Sequence, residues 1–132
     1  VDHLQGGDMK ISDRIMTYAM YIDPPLGRVG IGEKAARQSD RNIHMAVRAM
    51  SEISRAIEKD ETQGLIKIFV DMDTEEIVGA TILGVGGDEL IGIFTAYMYT
   101  GASYKQFKRV MFNHPTVAEL LPFIMEDLKP LD

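Results

Sequence analysis

The sequence contains no cysteine, and this absence excludes several kinds of chemistry. Without cysteine, this chain cannot itself carry a disulfide scaffold, a thiolate zinc site, a cysteine nucleophile or a dithiol redox pair. The absence agrees with a reducing compartment, and we expect a cytoplasmic location. Long apolar runs are also missing. The longest in the middle of the chain, residues 90–99, is too short to span a bilayer, so no membrane partner is expected.

Positive charge is scarce as well. The chain has 14 lysines and arginines against 20 aspartates and glutamates, which gives a net charge of −6. An acidic chain repels phosphate backbones and anionic headgroups, so neither nucleic acid nor an anionic membrane surface is an expected partner. The 132 residues are 45% hydrophobic and 26% charged, the balance of one ordinary globular domain.

Strand-like segments fill the first part of the sequence, and helix-like segments dominate the rest. The expected strands are residues 17–22, 26–31 and 45–49, followed by an antiparallel hairpin of 65–70 with 76–83. The expected helices are 33–38, 88–100, 104–111 and 116–128, the last one bent or broken at Pro122. This order favours an α+β fold in which helices flank an antiparallel β-sheet. Residues 1–15 show little periodicity and predict a linker or the tail of another domain, which leaves 16–132 as the domain.

Two short motifs suggest ligand sites but lack parts that such sites need. The glycine-rich stretch 84–87 lies between a strand and a helix, as in a dinucleotide-binding loop, but Glu89 occupies the third glycine position. Residues 71–76 begin like a calcium loop, but Glu76 replaces the glycine at its sixth position. We therefore predict a tight strand-to-helix turn and a hairpin turn. No metal site is expected either, because the three histidines are far apart in sequence: His3, His44 and His114.

Residues 113–119 form the segment with the most specific chemistry. Thr116 and Glu119 fit a capping box, in which Thr116 caps a helix and Glu119 reaches back to the cap. The same spacing brings the Glu119 carboxylate near His114, the residue before Pro115. A carboxylate that accepts a hydrogen bond from one imidazole nitrogen fixes the ring tautomer and leaves the other nitrogen available for proton transfer. Spacing alone therefore allows both a helix cap and an acid–base pair.

The same segment carries a resemblance to a known family. The residues His114-Pro115-Thr116-x-x-Glu119 resemble the C-terminal signature of the flavin-dependent pyridine nucleotide–disulfide oxidoreductases, which include glutathione reductase, dihydrolipoamide dehydrogenase and mercuric-reductase-like proteins. Residues 23–30, DPPLGRVG, followed by Glu33, resemble the first strands of that family's C-terminal domain. Four short segments of this chain resemble the central hairpin of the family's C-terminal domain: 55–56, 64–67, 77–80 and 83–84. The similarity extends from about residue 12 to residue 131, with the motifs in the family's order.

The resemblance implies that this chain is the C-terminal interface, or dimerisation, domain of such an enzyme. In the family this domain mediates a two-fold homodimer, and the FAD- and NAD(P)-binding domains precede it, here before Val1. The resemblance implies that His114 enters the partner subunit's active site as a general acid/base toward a redox thiol, that Glu119 orients it, and that His114 and Pro115 lie near the flavin. It also implies a cis peptide bond between His114 and Pro115. No FAD or NAD(P) is expected to bind this chain alone, which is expected to be inactive by itself.

The sequence departs from two members of the family. Dihydrolipoamide dehydrogenases often have a second histidine two positions before the key one, where this chain has Phe112. Mercuric reductases have a tyrosine at the key position, where this chain has His114, and they end in a cysteine pair. Mercury reduction is therefore not implied, and the substrate stays open.

Two other functions agree with the same residues. One is a stand-alone α+β module for interaction or ligand binding, in which Glu119 is only a helix cap. The other is a small independent enzyme that uses His114 and Glu119 within one subunit, which requires a deep pocket that holds both. The order of the family motifs favours the dimerisation domain over these two.

Overall fold

A computed structural model describes residues 3–8 and 10–131 of the chain. Its strands are β1 (Thr17–Met20), β2 (Leu26–Gly30), β3 (Ile43–Ala49), β4 (Leu65–Asp71), β5 (Glu76–Leu83) and β6 (Lys129–Pro130). Its helices are α1 (Glu33–Arg37), α2 (Ser54–Glu58), α3 (Gly87–Met98), α4 (Tyr104–Phe107) and α5 (Leu121–Ile124). The strands form one six-stranded sheet in the order β1-β2-β5-β4-β3-β6, and every neighbouring pair is antiparallel. The predicted α+β fold is confirmed.

The hairpin of β4 and β5 forms where the sequence predicts it, and a buried aspartate holds its turn. The carboxylate of Asp71 accepts hydrogen bonds from the amides of Asp73 and Thr74, at 2.9 and 3.4 Å, and from the Arg41 guanidinium at 2.7 Å. Burial raises the pKa of Asp71, but the bonds from Arg41 and the two amides outweigh it and hold that pKa below its ordinary value. The predicted hairpin turn at residues 71–76 is therefore confirmed.

The longest helix, α3, packs directly on the backbones of β2 and β5. It follows a turn in which Gly84 and Gly86 have φ values of 145° and 66°. A Cβ on Gly27 of β2 would lie 2.1 Å from the carbonyl oxygen of Gly87, and a Cβ on Gly87 would lie 2.7 Å from the carbonyl oxygen of Ile82. Glycine lets the helix and the sheet approach this closely. The predicted tight strand-to-helix turn is confirmed.

The main core lies between one face of the sheet and the helices α2 to α5. Side chains alternate between the two faces along β4, so every second residue of that strand points into this core. The strands contribute Ile66, Ile68, Val70, Ala80 and Ile82. The helices contribute Ala56, Ile91, Phe94, Phe107, Leu121 and Ile124. Leu121 and Ile124 thus anchor the C-terminal segment to the sheet.

The opposite face of the sheet is only partly covered. At one end, α1 packs Ala36 against Phe69 and Ile43. Residues directly opposite each other in antiparallel strands share a face. The strand register therefore aligns four apolar side chains in one row across β1, β2, β5 and β4, which we call the open-face row: Met20, Leu26, Leu83 and Leu65. The side chain of Met20 is 48% exposed and the other three are half-buried, so this row is open to solvent.

The last part of the chain differs from the prediction. The helix predicted over 116–128 was expected to bend or break at Pro122, and the segment is indeed divided there. Its bounds are wrong, because the segment forms a 3₁₀ turn at Ala118–Leu120, then α5, then a second 3₁₀ turn at Met125–Asp127. Pro122 has no amide hydrogen, so it interrupts a continuous helix and is tolerated in the first turn of α5. The helix predicted over 104–111 ends earlier, at Phe107.

The N-terminal segment lies mostly exposed on the surface. It contains two isolated 3₁₀ turns, His3–Gln5 and Ile11–Asp13, and the amide of Ile15 donates to the Tyr99 hydroxyl at 3.1 Å. Four residues of the predicted linker and domain lie outside the described residues: Val1, Asp2, Met9 and Asp132. The linker over 1–15 and the domain boundary at 16 stay predictions. Over the ranges 3–8 and 10–131, no helix has the length and apolar character needed to cross a membrane.

Candidate functional site

His114 and Glu119 lie side by side in the segment between α4 and α5. Nδ1 of His114 is 2.8 Å from Oε2 of Glu119. An ionised carboxylate only accepts hydrogen bonds, so a neutral ring in this contact carries its hydrogen on Nδ1 and keeps the lone pair on Nε2. The His114 side chain is 80% exposed, whereas that of Glu119 is 16% exposed. The predicted cis peptide bond between His114 and Pro115 is confirmed.

The backbone around this pair contains half of the predicted capping box. The Thr116 hydroxyl accepts a hydrogen bond from the Glu119 amide at 3.2 Å and donates one to the Asn113 carbonyl oxygen at 2.7 Å. The other half of the box would join the Glu119 carboxylate to the Thr116 amide. Among the described residues this bond is not made, and the carboxylate contacts the His114 ring instead. The backbone cap and the imidazole contact thus occur together.

Buried side chains anchor both ends of the segment that carries the pair. On the carboxylate side, Val117, Ala118 and Leu121 are buried in the main core. On the imidazole side, Phe112 packs against Phe107 with 6.2 Å between ring centroids. A longer α4 would rotate Phe112 away from Phe107, since residues five apart lie on different sides of a helix. Because α4 ends at Phe107, Phe112 can pack against Phe107 while His114, two residues later, stays exposed.

Paired charges fix the start of α4 against the hairpin. The Glu75 carboxylate accepts hydrogen bonds from the Lys105 ammonium and from the Ser103 hydroxyl, the latter at 3.1 Å. The hydrogen bond from Lys105, and to a smaller extent the one from Ser103, holds the pKa of Glu75 below its ordinary value. The Glu75 carboxylate in turn raises the pKa of Lys105. Lys105 therefore has a structural partner in the hairpin turn.

The other candidate features of the described residues lie apart from this pair. Within residues 3–8 and 10–131, no group of three or more histidine, aspartate or glutamate side chains could hold a metal ion. His44 lies in β3 opposite Pro130 of β6, separate in sequence and in secondary structure from His114. Three clefts, of about 430, 330 and 230 Å³, are lined by other parts of the chain and include neither member of the pair. An exposed imidazole outside these clefts does not match an independent enzyme with a deep pocket.

Comparison with known proteins identifies the family. Residues 16–122 match the family model described as the pyridine nucleotide-disulphide oxidoreductase dimerisation domain. The match covers most of the chain, and the chain belongs to this family. The resemblance found in the sequence is therefore confirmed.

Three relatives illustrate the similarity. The probable pyridine nucleotide-disulfide oxidoreductase RclA of Escherichia coli is 33% identical over 122 residues, which are 91% of this chain and 28% of RclA. An uncharacterized 19.7 kDa protein in the mercuric resistance operon of Staphylococcus aureus is 31% identical over 115 residues, covering 87% of this chain and 64% of that protein. The mitochondrial dihydrolipoyl dehydrogenase of Schizosaccharomyces pombe is 31% identical over 119 residues, covering 90% of this chain and 23% of the enzyme.

A solved structure supports the same fold. The structure of RclA from Escherichia coli, described as an HOCl-induced flavoprotein disulfide reductase, superposes with a TM-score of 0.86 and 31% sequence identity. The superposition covers 95% of this chain and 29% of RclA. This chain thus spans less than a third of RclA, and it corresponds to the dimerisation domain of an oxidoreductase family whose members are flavoproteins.

Proposed function

We propose that this chain is the dimerisation domain of an FAD-dependent NAD(P)H disulfide oxidoreductase, and that it supplies the imidazole of His114 to the active site of the partner subunit. In this proposal Glu119 orients the ring and His114 exchanges a proton with a thiol of the partner subunit. The observation that carries the proposal is the 2.8 Å contact between Nδ1 and the Glu119 carboxylate beneath an exposed ring.

The geometry supports a proton-handling role for Nε2. Because Nδ1 donates to Glu119, the lone pair of Nε2 is available to take a proton from a thiol, and the charged ring then gains from the adjacent carboxylate. The reverse transfer returns the proton from Nε2 to the thiolate. Both steps need a ring held in one tautomer, and the partly buried Glu119 provides the acceptor that holds it.

FAD and NAD(P) belong, in this proposal, to other domains of the same polypeptide. The described residues do not resemble a dinucleotide-binding fold, because every neighbouring pair of strands in the sheet is antiparallel, whereas that fold has a mostly parallel sheet. When bound to those domains, the cofactors supply the hydride and electron transfer. His114 and Pro115 are the residues that we expect to approach the flavin of the partner subunit. Redox activity is therefore not expected from the 132-residue chain alone.

Uncovered apolar surface supports an interface role. Met20 in the open-face row is 48% exposed and the other three members are half-buried, and Met111, three residues before His114, is 95% exposed. Exposed apolar patches of this kind are typical of surfaces that pack against other protein. We propose that the partners are a second copy of the chain and the FAD and NAD(P) domains of the same polypeptide, in the reducing environment of the cytoplasm.

The test of the catalytic role uses the full-length reductase that carries this domain. His114→Gln should lower turnover by about 10²-fold or more, the usual contribution of a positioned general acid/base, while leaving the dimer intact. His44→Gln is the control, because His44 is the half-buried histidine of β3. Turnover is measured across pH and the dimer by sedimentation equilibrium. Unchanged turnover of His114→Gln at every pH would contradict the role.

The interface role is tested on the 132-residue chain. We expect a dimer in sedimentation equilibrium and no flavin absorbance in the purified chain. A monomer at high concentration, from a chain that circular dichroism shows to be folded, would contradict dimerisation through this domain alone.

A further inference from the structure

The Thr116 hydroxyl makes two hydrogen bonds that span the segment around His114. It donates to the Asn113 carbonyl oxygen at 2.7 Å and accepts from the Glu119 amide at 3.2 Å. Asn113 is covalently joined to His114, and Glu119 is the residue whose carboxylate contacts the imidazole. One hydroxyl therefore connects the backbones of both members of the pair.

The imidazole depends on this connection because little else holds it. Its side chain is 80% exposed, so packing does not fix the ring. Within the described part of the chain, the contact with Glu119 is the one hydrogen bond that the His114 ring makes. A long glutamate side chain can reach the ring reproducibly only from a fixed backbone position. The β-branched Thr116 has a stiff χ1 angle, which keeps its hydroxyl pointed at both bonding partners.

We propose that Thr116 is a positioning residue, whose hydroxyl holds the backbones of Asn113 and Glu119 at the separation that lets Glu119 accept a hydrogen bond from Nδ1 of His114. The inference rests on the proposed function, in which Nε2 must keep its lone pair to take a proton. Loss of the Thr116 hydroxyl leaves the His114 and Glu119 side chains present but weakens the hydrogen bond between them. The ring then shifts toward the tautomer with hydrogen on Nε2, which a free neutral imidazole prefers.

The test measures the tautomer of His114 in the ¹⁵N-labelled chain. The ring-nitrogen chemical shifts are recorded by NMR at a pH where the imidazole is neutral, and they report the ratio of the Nδ1–H to the Nε2–H form. Thr116→Val keeps the branched shape but removes the hydroxyl, and should lower this ratio by about two-fold or more. Thr116→Ser keeps a hydroxyl and should retain most of the wild-type ratio. Glu119→Ala gives the ratio of the unpaired ring.

A second threonine provides a matched control. The Thr100 hydroxyl, just after α3, donates to the Tyr97 carbonyl oxygen at 2.6 Å and accepts from the Ala102 amide at 3.2 Å. Thr100→Val therefore removes the same kind of two-sided bridge elsewhere in the fold. It should lower the free energy of unfolding as Thr116→Val does, but leave the His114 tautomer ratio unchanged. The comparison separates positioning from a general loss of stability.

The outcomes distinguish this inference from the proposed function. A wild-type ratio in Thr116→Val, with the ratio lost in Glu119→Ala, would overturn the positioning role and leave the pair intact. A wild-type ratio in Glu119→Ala would overturn the pair itself. A changed ratio in Thr100→Val would attribute the effect to general loosening and would also overturn the inference. If Thr116→Val does not fold, Thr116→Ala replaces it with the same expectations, since alanine adds no methyl group beside the Asn113 carbonyl.

Discussion

Replacing Gly27 by alanine tests whether α3 rests directly on β2. The added Cβ would lie 2.1 Å from the carbonyl oxygen of Gly87 and 2.7 Å from the Cβ of Ile91. Neither obstacle can be moved by rotating a side chain, because one is backbone and the other is a Cβ atom. Since non-bonded heavy atoms settle at about 3.5 Å or more, α3 would have to retreat from the sheet by about 1.4 Å.

The expected loss of stability follows from two opposing effects. Overpacking a well-packed core costs about 1–3 kcal/mol, and removing a glycine from a strand interior returns about 0.5–1 kcal/mol. The free energy of unfolding of Gly27→Ala should therefore fall by about 1–2 kcal/mol. With a urea dependence of about 2 kcal/mol per molar, the middle of the range for a small domain, the unfolding midpoint should fall by about 0.5–1 M.

The same helix contains a matched control of the opposite sign. Gly92 is exposed in α3, and a Cβ there would meet nothing within 4 Å. Gly92→Ala should raise the free energy of unfolding by about 0.8–1 kcal/mol, because alanine is the better helix former. Both variants are compared with wild type by urea titration followed by far-ultraviolet circular dichroism. A midpoint for Gly27→Ala at or above that of wild type would refute direct packing of α3 on β2.

Two further substitutions test the anchoring of the site and of the hairpin turn. Phe107→Ala should lower the free energy of unfolding by about 3–5 kcal/mol, since the buried ring stacks on Phe94 at 5.3 Å and supports Phe112. It should also speed amide hydrogen exchange over residues 108–116, and unchanged exchange there would contradict the anchoring. The lowered pKa of Asp71 means that its charge stabilises the fold above about pH 4, and that this contribution is lost as pH falls through the lowered pKa. Asp71→Asn should therefore be less stable than wild type near neutral pH by an amount that shrinks in acid unfolding titrations, and a constant difference across pH would refute this contribution.

Much of the fold could be predicted because its signals are local. The strand over 65–70 and its partner over 76–83 agree within one residue with β4 and β5, since β-branched residues and a polar turn lie next to each other in sequence. The helix over 88–100 likewise agrees with α3 within two residues. The short strand β6 was not predicted, because Lys129–Pro130 joins the sheet only through its pairing with the distant β3.

The open-face row could not be read from the sequence for a similar reason. Its four members come from four strands, and only the strand order and register bring them into line. The C-terminal segment was predicted only in part: its interruption at Pro122 was expected, but the short 3₁₀ turns on both sides of α5 were not. Its apolar spacing satisfies a helical stripe, but one missing amide at Pro122 is enough to divide the segment into short turns that still bury Leu121 and Ile124.

Glu119 shows why spacing alone left two interpretations open. A capping box needs the Glu119 carboxylate at the Thr116 amide, whereas an acid–base pair needs it at Nδ1 of His114. The sequence places both donors within reach of the carboxylate but does not say which one it meets. In the fold, the Thr116 hydroxyl still bonds the Glu119 amide, while the carboxylate bonds the imidazole. The cap and the pair are therefore not alternatives. The hydroxyl half of the cap fixes the backbone from which the carboxylate reaches the ring, and a full capping box would have taken that carboxylate away from His114.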